Sequence, residues 1–393
     1  MKGLLLVVFV NFVGIGALIP VLPYAVIDVA GGSETLMAFL MASFSLAMFI
    51  GSPVLGALSD RLGRKRVLIG SIFVAAVAHA VFAFSTDLMM MFVARIVAGF
   101  AAGNLSVIMA IITDTTSQEE RARWMGMLGA FVGLGFVAGP ALGGLLSGVG
   151  GEVHTAPFML AAVLALTGGI ISQRTVEESA HATATEKIPF ARRWNDFYGH
   201  GLIGFAIAMF LLNLGFAQVE VSFVLVLKDL LGYSSLDTGW IFTWIGLLIV
   251  VVQGGLIGPV SRWISDIGTA LAGSLVLVLG QLATTIMIMM NFDAFGSSLI
   301  SILAVTALVC IGFAFTNPTL SSAASKRTSE GQIGGALGIV QGFGSLGQVG
   351  GLMVAGPIYE AYGGSFNFMA GGVISMGLSA CILMIIIGRK TTR

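Results

Sequence analysis

Twelve apolar runs of membrane-crossing length follow one another along this chain, and few folds can accommodate that succession. A helix needs about 20 apolar residues to cross a bilayer. Such runs lie at roughly 4–24, 36–57, 67–85, 88–111, 124–147, 155–172, 199–227, 237–260, 268–290, 297–319, 333–358 and 365–387. Hydrophobic residues make up 57% of the chain, charged residues 10%, and mean hydropathy is +1.00. A soluble domain carries about 25% charged residues, so the solvent of this chain is the bilayer. Its 54 glycines fit membrane helices, where small residues permit close approach. The first run follows Lys2 as a signal peptide would, but it continues to about Tyr24 without a small-residue cleavage pattern and reads as the first span.

The charges support this count. With a cytoplasmic N-terminus, 17 of the 19 basic residues fall in cytoplasmic segments; only Lys228 is external and only Arg95 lies within a span. The external segments instead carry Asp28, Glu34, Asp87, Glu152, Asp229, Asp237, Asp293 and Glu360. This is the positive-inside asymmetry, and it places both termini on the cytoplasmic side. The longest polar stretch, Gln173 to Asn195, holds Glu177, Glu178, Glu186, Pro189, Arg192 and Arg193 and reads as a solvated linker. The division that follows is 1–172 for a first six-helix bundle, 173–197 for the linker and 198–393 for a second bundle.

The densest charge lies at the end of Gly51-Ser-Pro-Val-Leu-Gly-Ala-Leu-Ser-Asp-Arg-Leu-Gly-Arg-Lys-Arg66. An apolar helix is expected to end near Leu58 and the next to begin near Val67, with Asp60, Arg61, Arg64, Lys65 and Arg66 in a short loop between them. Gly56 and Gly63 allow a tight turn and close helix approach. Arg61, Arg64 and Lys65 can pair with Asp114, Glu119 or Glu120 at the end of span four, as a latch on the inner face. The bland reading is that they only set topology; Asp60 speaks against it, because an acid adds nothing to a positive-inside signal.

The halves echo each other. Gly126-Met-Leu-Gly-Ala-Phe-Val-Gly-Leu-Gly135 and Gly335-Ala-Leu-Gly-Ile-Val-Gln-Gly-Phe-Gly344 share their glycine spacing at an offset of 209. Gly56-Ala-Leu-Ser-Asp-Arg61 and Gly258-Pro-Val-Ser-Arg-Trp263 pair at an offset of 202, the later copy keeping Arg262 and Asp266 but not the basic cluster. Parallel repeats of this kind are a transporter architecture.

Together these features resemble the major facilitator superfamily of secondary transporters, over essentially the whole chain. Gly56 to Arg66 resembles that family's loop between spans two and three. Arg95-Ile-Val-Ala-Gly-Phe-Ala-Ala-Gly103 resembles its span-four motif, and Gly135-Phe-Val-Ala-Gly-Pro-Ala-Leu-Gly-Gly144 the span-five pattern of antiporters. Asn11-Phe-Val-Gly-Ile-Gly-Ala-Leu-Ile-Pro-Val-Leu-Pro23 is similar to the first span of tetracycline-efflux-like drug:proton antiporters. In many of those proteins the position of Asn11 is an aspartate. The resemblance implies an all-α membrane protein of twelve helices in two pseudo-symmetric six-helix bundles, with the proton as coupling ion and no other cofactor.

The candidates for substrate and coupling are Asn11, Arg95, Asn213, Gln218, Glu220, Asn317 and Gln341. An intramembrane charge is costly, so Arg95 is expected either to meet an anionic group or to hydrogen-bond carbonyls of span one. Asn11 cannot titrate, which leaves Glu220, about 12 Å along its helix from Lys228, as the embedded carboxylate best placed to carry a proton. Its bland reading is a side chain reaching the external interface. Gln341 and Gln348 share a face and either line a path or join helices. Gly135, Gly139 and Gly143 recur every four residues beside Pro140 and Gly144, either as the seam along which the halves rock or as static packing. Cys310, Cys381 and His79 read as packing residues.

The leading expectation is a proton-coupled exporter of a small lipophilic or amphipathic compound in a bacterial inner membrane, with lipids and a small-molecule substrate as partners and no second subunit required. The alternatives are a uniporter or importer of a metabolite such as a sugar or organic acid, and a lipid translocase or sensor. No nucleophile–base spacing, metal-ligand cluster or GxxxxGK[ST] loop points to an enzyme or to ATP, and the net charge of zero points to no nucleic acid.

Overall fold

A computed structural model describes residues 1–149, 151–178, 201–290, 298–327 and 333–391. The described residues form helices throughout, as lipid demands when every backbone polar group must be satisfied within its own segment. They fall into two compact units: those within Met1–Thr185 together with Leu227–Leu247, and those within Glu186–Val226 together with Leu248–Arg393. The expected linker lies outside the described residues from 179 onward.

The first unit contains α1 (Lys2–Leu18), a π-helical turn (Tyr24–Val29), α2 (Glu34–Leu62), α3 (Arg64–Ala83), α4 (Leu88–Ala102), α5 (Leu105–Thr115), α6 (Gln118–Leu146) and α7 (Thr155–Thr175). The expected first span, 4–24, is therefore not one helix. Pro20 and Pro23 remove two donors from the ladder, α1 stops at Leu18, and the chain resumes as the wide turn. Span four also divides, at Gly103–Asn104, where the buried Asn104 Nδ2 donates to Ser71 Oγ at 2.9 Å. At the end carrying Lys2 and Arg64, the unit closes over an aliphatic core that includes Leu4, Leu5, Val8, Leu68, Ile72, Val107, Ile111 and Leu128. This is the basic end of the unit, and the opposite one is its acidic end.

Helices α8 (Ile203–Asp229) and α9 (Ser235–Val251) each cross a unit boundary, α8 between Val226 and Leu227 and α9 between Leu247 and Leu248. A π-helical turn (Val252–Leu256), α10 (Ile257–Ile264), α11 (Asp266–Met289), α12 (Ser298–Ser325), α13 (Ile333–Tyr362) and α14 (Gly364–Thr391) complete the second unit. Among the described residues, eleven spans are long and apolar enough to cross a membrane, with Lys2–Leu18 as a shorter twelfth, matching the twelve expected. Polar side chains stitch α11 to its neighbours: Gln281 Nε2 donates to the Gly215 carbonyl at 3.1 Å and its Oε1 accepts from Ser375 Oγ at 2.7 Å. Large apolar side chains such as Val77, Leu279 and Met384 are exposed, as lipid-facing residues would be.

Candidate functional site

In the second unit, α8 carries Asn213, Gln218 and Glu220 and α13 carries Gln341 and Gln348, and of these Glu220 and Gln348 bond each other. Gly344, Gly347 and Gly351 let the two helices touch: a Cβ on Gly344 would lie 2.8 Å from Met209 Cγ, and one on Gly351 2.7 Å from the Leu214 carbonyl oxygen. Glu220, half-buried on α8, accepts a hydrogen bond from Gln348 Nε2 at 3.2 Å. A neutral amide is a partner for either protonation state of a carboxyl, since it can donate to one and accept from the other. Gln218, two residues earlier, is buried and donates to the Gly351 carbonyl at 3.1 Å, so it points at α13 backbone. Asn213 Nδ2 bonds back to the Met209 carbonyl at 2.9 Å. Gln341, exposed on α13, donates to Ser321 Oγ at 3.0 Å, and Ser321 in turn bonds the Asn317 carbonyl at 3.1 Å. Gln341 is thus tied through a hydroxyl to the backbone carbonyl of Asn317, beside Pro318 within α12.

In the first unit, Arg95 is buried, with 8% of its surface exposed, and its guanidinium lies 4.1 Å from the Phe44 ring centroid on α2. A cation over an aromatic face is worth up to about 2 kcal/mol when desolvated, which offsets part of the cost of that depth. α2 and α4 approach closely around it, a Cβ on Gly103 meeting Gly51 carbonyl carbon and Ser52 nitrogen at 2.5 Å each. Asn11 is half-buried on α1.

The charged stretch is tighter than expected. Helix α2 runs to Leu62 and α3 starts at Arg64, leaving Gly63 alone outside helical geometry with φ +100°. The expected ends near Leu58 and Val67 followed from hydropathy, but Asp, Arg and Lys propagate a helix once it has left the hydrocarbon, so only the glycine breaks it. Arg64 organises the corner. Its Nη1 meets Asp60 at 2.6 Å and Ser59 Oγ at 2.7 Å, and its Nε meets Asp114 Oδ2, at the end of α5, at 3.0 Å. Lys65 contributes its backbone N–H, bonded to Glu178 Oε1 at 3.2 Å. Gly56 stands near Ser106 Oγ, 3.6 Å from where its Cβ would be. Arg61 is exposed, and the Glu119 side chain lies outside the described residues.

The second unit repeats this corner with its signs reversed. Ser265 and Asp266 stand 202 residues after Gly63 and Arg64, the offset of the sequence echo. Ser265 also has positive φ, at +68°. Asp266 Oδ2 accepts from Lys326 Nζ at 2.5 Å, just past the end of α12, and from Ser322 Oγ of α12 at 2.7 Å. A cavity of about 490 Å³ opens beside it, lined by Phe205, Lys326 and Arg327 among others, with the Arg327 guanidinium 5.1 Å from the Phe205 ring centroid.

The expected glycine seam divides in two. A Cβ on Gly135 would press on Phe12 of α1, with Val13 nitrogen at 3.0 Å, and one on Gly139 would lie 2.6 Å from the Val13 carbonyl oxygen; Gly143 likewise faces Ala17. These three pack α6 on α1. Gly144 and the Pro140 carbonyl, one position on, face α9, while the Pro140 ring lies against Gly16 of α1: a Cβ on Gly144 would lie 2.9 Å from the Ser235 carbonyl oxygen, one on Gly239 2.6 Å from that of Pro140, and one on Gly16 3.2 Å from Pro140 Cδ. The sequence reading missed Gln348 as the partner of Glu220, although it had placed Gln348 on the face of Gln341. It also missed Lys326, for which the echo at Asp266 was the available signal.

A family model described as the Major Facilitator Superfamily matches residues 4–352. The chain is 29% identical over 373 residues to the class C tetracycline resistance protein of Escherichia coli, spanning 92% of this chain and 90% of that one. It is 26% identical over 379 residues to multidrug resistance protein 2 of Bacillus subtilis, spanning 94% and 91%. Among solved structures it is similar to the human organic anion transporter MFSD10, with a TM-score of 0.73 at 22% identity over 97% of this chain and 98% of that chain, a likeness of fold.

Proposed function

Because the chain belongs to the Major Facilitator Superfamily of transporters, we propose that it exports a small lipophilic or amphipathic compound in exchange for protons, by alternating access, from a bacterial plasma membrane with both termini cytoplasmic. Residues 1–172 and 198–393 act as the two rocking bundles and 173–197 as their linker, in a monomer. Similarity to tetracycline and multidrug resistance proteins over more than nine-tenths of the chain supports the substrate class.

The observation that carries the coupling mechanism is the Glu220–Gln348 hydrogen bond between two packed helices at membrane depth. A bare carboxylate there is expensive, and an amide partner bonds it in both protonation states. Protonation then lowers the cost of closing the α8–α13 contact, and release restores the charge. Asn213, Asn317 and Gln341 offer neutral polar contacts to a substrate, Asn11 takes a neutral place on α1, and Arg95 holds a positive field in the first bundle. Arg64 with Asp114 and Asp60 makes and breaks the basic-end closure as the bundles rock, and Gly144 with Pro140 gives α6 a smooth face on which to slide.

The test is proton movement in proteoliposomes loaded with a pH dye, challenged with lipophilic cations, tetracycline-like compounds and sugars. Substrate-triggered proton flux, lost in Glu220→Gln, is the expected result. Substrate movement without proton flux and indifferent to Glu220→Gln would overturn the coupling and leave a uniporter.

A further inference from the structure

Lys228 is the one basic residue that the charge pattern puts on the acidic end, and the structure gives it an acidic partner 200 residues away. Its Nζ lies 2.8 Å from Asp28 Oδ1, in the π-helical turn after α1, and 3.8 Å from Asp229 Oδ1. The Lys228 side chain is 16% exposed and that of Asp28 48%, so the pair is partly withdrawn from water. The ring of Tyr24 forms one wall, its centroid 5.6 Å from the ammonium, and the Tyr24 hydroxyl donates to the Tyr233 carbonyl at 2.6 Å. A second line of contact runs parallel: Ser147 Oγ bonds Ser235 Oγ, and Gly144 and Gly239 bring α6 and α9 into backbone contact. The segment Leu227–Leu247, which follows most of α8 in sequence, is by its contacts part of the first unit.

We propose that Asp28 and Lys228, with Tyr24 and Tyr233 beside them, form an ionic latch that holds the strap Leu227–Leu247 against the first unit and closes the acidic end of the transport path. The inference rests on the transporter reading but not on proton coupling or on the identity of the substrate. Three features favour a latch over a permanent strut. The pair is electrostatic and half open to water, so it can break and be rehydrated at small cost. The contacts behind it involve hydroxyls and glycines rather than interlocked large side chains. And Lys228 shares α8 with Glu220, about 12 Å away, so release at the acidic end moves the helix that carries the embedded carboxylate. Besides Lys228, the charged residues of the strap itself are the acids Asp229 and Asp237. Asp237 is occupied by Ser234, whose Oγ lies at 2.6 Å.

The experiment measures distances, independent of transport. Nitroxide labels on Thr86→Cys and Leu230→Cys, in a background with Cys310 and Cys381 replaced, report the gap across the acidic end by double electron–electron resonance. Lys228→Met and, separately, Asp28→Asn should each raise the ratio of long to short distances by roughly threefold to tenfold, between the exposed and buried limits for one ion pair. Exchanging the charges, Asp28→Lys with Lys228→Asp, should return the ratio toward that of the parent, and added salt should open the parent but not the Lys228→Met variant. Unchanged distances in both single variants, or a charge exchange that stays as open as the singles, would overturn the latch. Loss of proton coupling in Glu220→Gln with a normal distance response would leave it standing.

Discussion

The closest test of the packing is a pair of alanine substitutions in one helix. A Cβ on Gly139 would lie 2.6 Å from the Val13 carbonyl oxygen, 2.8 Å from Gly16 Cα and 2.9 Å from Ala17 nitrogen. Favourable contact between such atoms needs about 3.5 Å, and backbone atoms cannot rotate aside as a side chain could. Gly139→Ala must therefore push α1 away from α6 by roughly 0.9 Å at this point, an overpacking cost of about 1–3 kcal/mol. Gly129, ten residues earlier on α6, has nothing within 4 Å of its Cβ position. There alanine relieves only the helix penalty of glycine, a gain of about 0.8–1 kcal/mol. The two variants should differ by about 2–4 kcal/mol with opposite signs relative to the parent. Reversible unfolding of all three proteins in one detergent, followed by tryptophan fluorescence, measures this directly. A Gly139→Ala protein as stable as the parent, or a Gly129→Ala protein damaged as badly, would refute the argument that backbone contact between α1 and α6 fixes these glycines.

Arg64→Ala removes bonds to Asp60, Ser59 and Asp114 together and should cost about 1.5–3 kcal/mol, whereas Asp114→Asn, which leaves Arg64 its other two partners, should cost less in the same unfolding assay. Lys326→Ala should cost below about 1 kcal/mol, because the Lys326 side chain is 69% exposed. His154, at the head of α7, is fully buried, and its Nε2 lies 3.0 Å from the Ser85 carbonyl oxygen. Burial holds its imidazole below the ordinary value, against the opposing effects of the Ser85 carbonyl and Glu152. The unfolded chain then binds this proton first, so the contribution of His154 is complete above about pH 6.5 and declines as pH falls from there toward the lowered folded value. Melting temperatures at about pH 7.5 and 5.5 should diverge less in His154→Phe than in the parent.

Most of the fold was legible because the bilayer reduces the problem to counting. Length and apolar character placed the spans, and the lopsided distribution of Lys and Arg gave them an order that one missed helix would have spoiled. The legible part ended where hydropathy stops discriminating. Pro20, Pro23 and Asn104 interrupt helices inside apolar runs, and charged residues extend α2 and α3 beyond them, so boundaries followed backbone chemistry instead of polarity. The candidate residues were found by their strangeness at depth, which marks a residue but not its partner. Glu220 and Gln348 are 128 positions apart, and nothing in either segment says that they meet.

The repeats carry more information than their similarity suggested, because the places where they differ are informative. At an offset of 209, Gly135 corresponds to Gly344, and both sit where a helix crosses its neighbour. The same offset carries Gly139 onto Gln348. The first half keeps a glycine there and packs backbone on backbone; the second places an amide that reaches a carboxylate. The charged corners diverge in the same way. Gly63 and Ser265 hold the same unusual turn, and the next residue in each case pairs with a residue at or just past the end of the following span, yet Arg64 seeks an acid and Asp266 a base. An ion pair is indifferent to which partner sits at the turn, so the geometry can persist through a reversal of sign. A motif search keyed to the basic cluster loses the second copy for that reason, while the backbone and the spacing retain it.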